Sequence, residues 1–297
     1  MAMNTQHLQY IIEIERTRSI SQAAENLFIG QPNLSRILHD VEQMLGFRIF
    51  ERTSRGVRPT ERGARFLKHA RNMLREMDYI EALGPRHAVP NRLRVCIPRS
   101  AKLLDATAGY LASLPEASDL DARIFECHAR RALEILSAGE AEIGVIRFRV
   151  EYRDYFEEQT AQQELSLQIL SRYRYHLILP HSHPLAERSV IHTADLEPYP
   201  EITHGDNLRT HSRQTDIACR KVYTVDRMAQ LALLQTLPNA YMWGPEMPDR
   251  YLWQFGLVQK TCVDNPIIYH NALVLHPRYA MTEIESGYVQ HIMQKCK

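Results

Sequence analysis

Residues 21–63 read SQAAENLFIGQPNLSRILHDVEQMLGFRIFERTSRGVRPTERG, and the punctuation of this stretch decides the architecture of the amino-terminal end. Ala23, Ala24 and Leu27 give a short helix, roughly Gln22 to Phe28, whose small side chains permit close crossing by a neighbour. Ser21 is placed to cap it. After a break at Ile29 and Gly30, the next helix carries Pro32 in its first turn, where the missing N–H costs nothing. Its buried stripe is Leu34, Ile37, Leu38, Val41 and Leu45, which leaves Gln31, Pro32, Asn33, Ser35 and Arg36 at the exposed amino-terminal end. Gly46 ends this helix. Phe47 to Phe50 then read as a strand, Ser54 to Gly56 as a turn, and the chain returns to Thr60 as the second strand of a ribbon. Upstream, Leu8, Ile11 and Ile12 mark one face of a first helix ending near Arg18.

The chemistry of the exposed set fits nucleic acid. Asn and Gln form paired hydrogen bonds to adenine, Arg does so to guanine, and an apolar proline face touches a thymine methyl in the major groove. Arg48, Arg52, Arg55 and Arg58 crowd the ribbon, which suits phosphate or minor-groove contact. Ser21, Gln31, Pro32, Asn33, Ser35, Arg36, Arg52 and Arg55 are therefore the candidate DNA contacts. A solvated helix start beside a basic turn has the same composition, so the order of the motifs carries the argument.

That order resembles the LysR-type transcriptional regulators: helix, short helix, QPNLSR at Gln31–Arg36, an IFER wing start at Ile49–Arg52, and TERG at Thr60–Gly63. The match departs at Gly30, where the family usually carries Ser. The resemblance implies a winged helix-turn-helix over residues 1–63 and an α/β, two-lobed effector domain like the periplasmic binding proteins.

Thr60 and Glu61 open a long helix that runs without proline through residues 64–83, roughly 30 Å of rod at 1.5 Å per residue. Phe66, Ala70, Met73, Met77 and Ile80 alternate steps of four and three, a seam suited to packing along another helix, with Leu67 and Leu74 widening it. Linker helices of the family pair in this way, implying a homodimer; homotetramers are frequent in it. Two reading helices related by a two-fold axis call for an interrupted inverted repeat in promoter DNA. Residues 84–91, with Pro85 and Pro90, read as a hinge.

From Arg92 the pattern changes to alternating strands and helices: strand 93–97, a helix from Ser100, strand 122–125, a helix through Leu136, strand 143–146. Such a series predicts a parallel sheet that binds ligands beyond the carboxyl ends of its strands. The HPLA phrase at His183–Ala186 and the DLEPYPEI phrase at Asp195–Ile202 resemble the family's effector domains. Lobe I is expected at 92–164 and 266–297, and lobe II at 165–265. By position, Ser100, His128, Arg147 and Thr203 are the candidate contacts to a small effector, with an anion favoured by helix amino termini and Arg147. Each also has a plain structural use, as a cap or an ion-pair partner. The charged segment 147–158 has no assigned role.

Composition bounds the alternatives. The 297 residues carry a net charge of +1, with 15 Lys plus Arg against 10 Asp plus Glu in residues 1–94 and 21 against 25 in the remainder. The front is basic, in keeping with a polyanionic partner. No apolar run approaches the roughly 20 residues of a membrane span. Glu13 and Glu15 interrupt the opening apolar positions, unlike a secretory signal, so a cytoplasmic location is expected. The five cysteines contain no CxxC pair and read as thiols; Cys219 and Cys262, considered as a redox pair, lack an activating neighbour. His181 and His183 lack the further ligands of a metal site, and neither metal nor cofactor is expected. With no Walker loop, GxSxG elbow or glycine-rich dinucleotide motif, catalysis is not expected. The alternative is a solute-binding protein, or an enzyme on the binding-protein fold, with an amino-terminal assembly domain.

Overall fold

A computed structural model describes residues 3–54, 56–82, 91–115, 120–205 and 220–296. The chain divides into two compact units at Asn91/Arg92, with residues 119–121 and 135–141 grouped with the first. The expected hinge at 84–91 and candidate contact Arg55 lie outside the described residues, apart from the backbone of Asn91.

In the first unit, α1 (Thr5–Thr17) is capped by Asn4, whose side chain accepts from the His7 amide, and ends at Arg18 in the left-handed region. That reversal leaves Ser19 as the first extended residue, and its hydroxyl accepts from the Gln22 amide to open α2 (Ile20–Asn26). Ser19 is therefore the cap, and Ser21, expected in that role, lies exposed within the first turn. The third helix, α3 (Gln31–Leu45), starts at Gly30 without a side-chain cap and stops at Gly46, whose left-handed backbone lets its N–H reach back to the Glu42 and Gln43 carbonyls. Leu34, Leu38 and Val41 pack against Ile11, Ile14, Ala23 and Ala24 in one core.

The wing is an antiparallel pair of β1 (Phe50–Thr53) and β2 (Gly56–Pro59). It starts three residues later than the sequence predicts, because the backbone of Ile49 is engaged elsewhere. Its N–H donates to the Glu42 carboxylate at 2.7 Å, and its carbonyl accepts from Thr60 N–H at 2.9 Å. Thr60 then caps α4 (Glu61–Ala82), its hydroxyl accepting from Gly63 N–H at 2.9 Å. A Cβ at Gly63 would sit 1.9 Å from the Ile49 carbonyl oxygen, so only glycine allows α4 to lie this close. Along α4 the expected seam splits. Leu67 and Ala70 are buried, and Arg71 pairs with Glu15 of α1. Met73 and Ile80 are 52% and 60% exposed, and Met77 is exposed on the same face.

The second unit begins with β3 (Asn91–Ile97), α5 (Ala101–Ser113), β4 (Leu120–Glu126), α6 (Ala129–Ser137) and β5 (Ile143–Arg149). The chain then makes a 3-10 turn at Val150–Tyr152 and forms α7 (Arg153–Gln162). The charged segment 147–158 is thus a strand end, a turn and a helix start, held down by Phe156 stacked on Phe148 at 4.7 Å. Next come β6 (Ser166–Arg174), β7 (His176–Pro180), β8 (Glu201–His204) and β9 (Lys221–Thr224). The chain closes with α8 (Arg227–Thr236), β10 (Met242–Gly244), α9 (Asp249–Gln254), β11 (Leu257–Lys260), β12 (Ile268–Leu275) and α10 (Glu283–Lys295).

Five strands form one sheet in the order β4-β3-β5-β12-β6, with β3 parallel to β5 and β12 antiparallel to both β5 and β6. Leu93, Val95, Ile143, Val145 and Leu273 form its core with side chains of α5 and α10. The other lobe holds the antiparallel sheet β10-β7-β11 and the parallel pair β8-β9. One expectation needs correction: β6, assigned to lobe II from Leu165 onward, forms a full ladder with β12. Lobe II therefore begins after Arg174. The β12 strand returns to the first sheet as expected.

The packing at Gly63 predicts that Gly63→Ala lowers stability by about 2 kcal/mol or more, as forced overpacking does. Gly109→Ala, in α5 with open space at the new Cβ, should raise it by roughly 0.5–1 kcal/mol. Denaturant unfolding of both variants checks the pair.

Candidate DNA interface and effector site

Because Leu34, Ile37, Leu38 and Val41 commit one side of α3 to the core, Gln31, Pro32, Asn33 and Arg36 stand exposed and Ser35 half-buried on its first turns. Two hydrogen bonds order this surface: Gln31 Nε2 donates to Ser35 Oγ at 2.9 Å, and Arg36 Nη2 donates to Asn33 Oδ1 at 3.1 Å. Both bonds tie these side chains to neighbours one turn away on the same helix. On the wing, Arg58 is paired with Glu51 at 2.5 Å, whereas Arg52 is exposed and makes no ion pair among the described residues. Phe28, expected as the last residue of the short helix, lies beyond it, 96% exposed and left-handed (φ 54°) in the turn leading to α3.

In the second unit, Arg147 Nη1 donates to the Arg99 carbonyl at 2.9 Å and lies 3.5 Å from the Tyr175 hydroxyl. Its Nε reaches Asn271 Oδ1 at 3.3 Å. The guanidinium carbon sits 5.8 Å from the ring centroids of both Tyr173 and Tyr175. Burial pushes the Tyr173 phenol above its ordinary range, so it stays neutral and donates to Asn271 Oδ1 at 3.0 Å. The remaining nitrogen, Arg147 Nη2, is buried without a hydrogen-bond partner among the described residues.

Two further cations close on this group from the other lobe and the β3 end. Arg227, first residue of α8, reaches Glu126 at 3.3 Å, while its Nε is buried and unpartnered among the described residues. Burial, with the charges of Arg147 and Arg99 adding to it, lowers the Arg227 pKa against the pull of Glu126. Arg99 Nη1 lies 3.4 Å from His204 Nδ1. Three guanidiniums thus stand close enough to repel, with Glu126 the carboxylate acting on Arg227. An unsatisfied buried N–H costs about 1–3 kcal/mol, and an anionic oxygen would relieve that cost and the repulsion together.

The four candidates fare differently. Arg147 is the centre of the cluster. Ser100 is buried and caps α5, accepting from Leu103 N–H at 3.4 Å. His128 is exposed and accepts from Arg131 N–H at 3.2 Å to open α6; among the described residues no hydrogen bond joins it to Arg147. Thr203 is half-buried on β8, opposite Tyr223 and beside His204. Arg227, Tyr173 and Tyr175 were not anticipated, since only the tertiary fold brings them together. The His183 ring is consumed by a turn: Nδ1 accepts from Leu185 N–H and Nε2 meets the Asn239 carbonyl, each at 3.0 Å. Cys219 lies outside the described residues. The Cys262 thiol is pushed up to about 12 by burial and by Asp264, the wrong direction for a reactive thiol.

Residues 5–64 match the family model described as a bacterial regulatory helix-turn-helix protein of the lysR family, and residues 87–287 match the LysR substrate binding domain. The chain belongs to the LysR family. Members of this family are DNA-binding transcriptional regulators with an effector-binding domain. Among curated relatives, the uncharacterized HTH-type transcriptional regulator YnfL of Escherichia coli is 26% identical over 71% of this chain and 68% of its own. ClcR of Pseudomonas putida is 31% identical over 49% of this chain and 50% of its own, so that alignment spans about half of each protein. The fold is shared with ArgP from Mycobacterium tuberculosis at a TM-score of 0.67 and 15% identity, over 99% of this chain and 98% of that one.

Two substitutions separate base reading from phosphate contact. Arg36→Ala should cost about 1–3 kcal/mol of specific DNA affinity and relax sequence preference at one base pair. Arg52→Ala should weaken binding to all sequences alike and reduce the slope of log affinity against log salt by about 1. Titrations at several salt concentrations on matched and mismatched duplexes distinguish the two.

Proposed function

We propose that this LysR-family protein works in the cytoplasm as a homodimer, with assembly to a tetramer open to it, on promoter DNA carrying an interrupted inverted repeat. A small anionic effector bound between the lobes modulates it. The observation that carries the effector reading is the pair of buried, unpartnered donors, Arg147 Nη2 and Arg227 Nε. They belong to elements of different lobes, so one carboxylate or phosphate bridging them would favour lobe closure. The tyrosines flanking Arg147 supply an apolar, neutral wall, which suits an acid with a planar or aliphatic body. Ser100, His128 and Thr203 are secondary contacts in this reading, at the ends of the elements bordering the cluster.

The dimer reading is supported by the exposed face of α4. Met73, Met77 and Ile80 follow helical spacing and face solvent in the single chain, as a seam awaiting a second helix would. Two α3 helices would then present Gln31, Asn33 and Arg36 to adjacent major grooves. Ser21, Pro32, Ser35 and Arg52 complete the proposed contact surface. No described helix is long and apolar enough to cross a membrane. The binding chemistry on both units, and relatives that are transcriptional regulators, support regulation rather than catalysis.

Thermal unfolding with a panel of small carboxylates, phosphate esters, amines and neutral solutes tests the effector reading. At least one anion should raise the melting temperature of the wild type, and Arg147→Gln should weaken that ligand by about 30-fold or more, as losing one partner of a buried charge pair does, while DNA binding without ligand persists. Stabilisation by amines alone, or by an anion equally in Arg147→Gln, would contradict it.

A further inference from the structure

Two thiols that lie far apart in sequence are neighbours in the fold. The strands β3 and β4 are adjacent in the five-stranded sheet, and just beyond β4 the Cys127 N–H donates to the Ile97 carbonyl at 3.0 Å. That bond fixes Cys127 against the end of β3, one residue from Cys96. The Cys96 side chain acts on the Cys127 thiol, and neither is in a disulfide. Their surroundings differ: Cys96 is fully buried, whereas Cys127 is half-buried and reachable from solvent. Arg99 and Arg131 both act on Cys127 with positive charge, against a smaller opposing effect of Glu134.

This is the arrangement that thiol oxidation chemistry needs: an accessible thiol in a positive field, and a second thiol within reach. The Cys96 hydrogen bond, followed by the Arg131 and Arg99 charges, holds the Cys127 thiol below its ordinary range despite opposing burial. Cys262 and Cys296 are instead pushed upward, chiefly by burial. Of Cys127, Cys262 and Cys296, the first is the one shifted toward thiolate.

We propose that Cys127 and Cys96 form a reversible dithiol–disulfide pair that reacts with a hydroperoxide. The Cys127 sulfur attacks the terminal peroxide oxygen and the O–O bond breaks. The thiol proton passes to the leaving oxygen, giving a sulfenic acid and the corresponding alcohol, or water from hydrogen peroxide. The Cys96 sulfur then attacks the Cys127 sulfur; the S–S bond forms, the S–O bond breaks, and the hydroxyl leaves as water with the Cys96 proton. In sum, two thiols lose two electrons and two protons to one hydroperoxide.

The place of the pair gives the reaction a consequence. A disulfide draws the sulfurs to about 2.05 Å, pulling together the segments that follow β3 and β4. The first carries Arg99, whose carbonyl holds Arg147; the second leads from Glu126, the partner of Arg227. Oxidation therefore alters the cation cluster directly. The chemistry of the pair itself stands whether or not that cluster binds an effector.

Peptide mass spectrometry of the full-length protein, after graded hydrogen peroxide and alkylation, tests the proposal without any substitution. The expected product is an intrachain cross-link joining the Cys96 and Cys127 peptides, about 2 Da lighter than their sum and reversed by a dithiol. Blocking Cys96 by Cys96→Ser should leave a sulfenic acid at Cys127 that a cyclic dione traps. Oxidation of wild-type Cys127 to sulfinic acid with Cys96 still alkylatable would overturn the proposal. So would a cross-link between chains, or no change at either residue in a hundredfold excess of peroxide.

Discussion

The backbone of Ile49 is the point on which the amino-terminal unit turns. Its N–H is held by the Glu42 carboxylate near the end of α3, its carbonyl by the Thr60 N–H that precedes α4, and its side chain is fully buried. Gly63 then packs against the same carbonyl at a distance no side chain tolerates. The third helix, the wing and the long helix are therefore fixed to one residue. The proposed contacts, Gln31, Asn33 and Arg36 in one groove and Arg52 on the backbone beside it, depend on such rigidity, because a small tilt between helix and wing would cost one set or the other.

The second unit is organised around a charge it leaves incompletely satisfied. Arg147 is anchored through Asn271, the Arg99 carbonyl and Tyr175, yet one nitrogen is buried without a partner among the described residues. Arg227 repeats the pattern from the other lobe. A fold selected for stability alone would place a carboxylate here, since an unpaired buried donor costs more than a made hydrogen bond returns. These unpartnered donors are what support the proposed anionic effector. Two ion pairs elsewhere, Lys102 with Glu246 and Arg250 with Asp105, tie α5 to the segments around α9. They join the two lobes at exposed positions.

What the sequence disclosed, and what it withheld, follows the range of the interactions. The α3 stripe, the Gly46 stop, the Thr60 start of α4 and the cap at Ser100 are written within a few residues of where they act. Ser19 and Ser21 are equivalent as residue types, and only the left-handed turn at Arg18 chooses between them. The membership of β6 depended on a partner about 100 residues away, since its alternation would suit either sheet. Arg227, Tyr173 and the Cys96–Cys127 pair were illegible for the same reason: each acquires its chemistry from a neighbour supplied by the fold. Arg147 was legible because strand ends point at clefts, but what surrounds it was not.

The central claim is that this chain reads DNA as a symmetric pair. Selection of duplexes from a randomised pool by the purified full-length protein tests it most directly, with the enriched sequences aligned without imposing symmetry. The account predicts an interrupted inverted repeat whose half-sites repeat near one helical turn, about 10 base pairs, or a multiple of it. Enrichment of a single unrepeated half-site, or no enrichment by a folded protein at low salt, would contradict it.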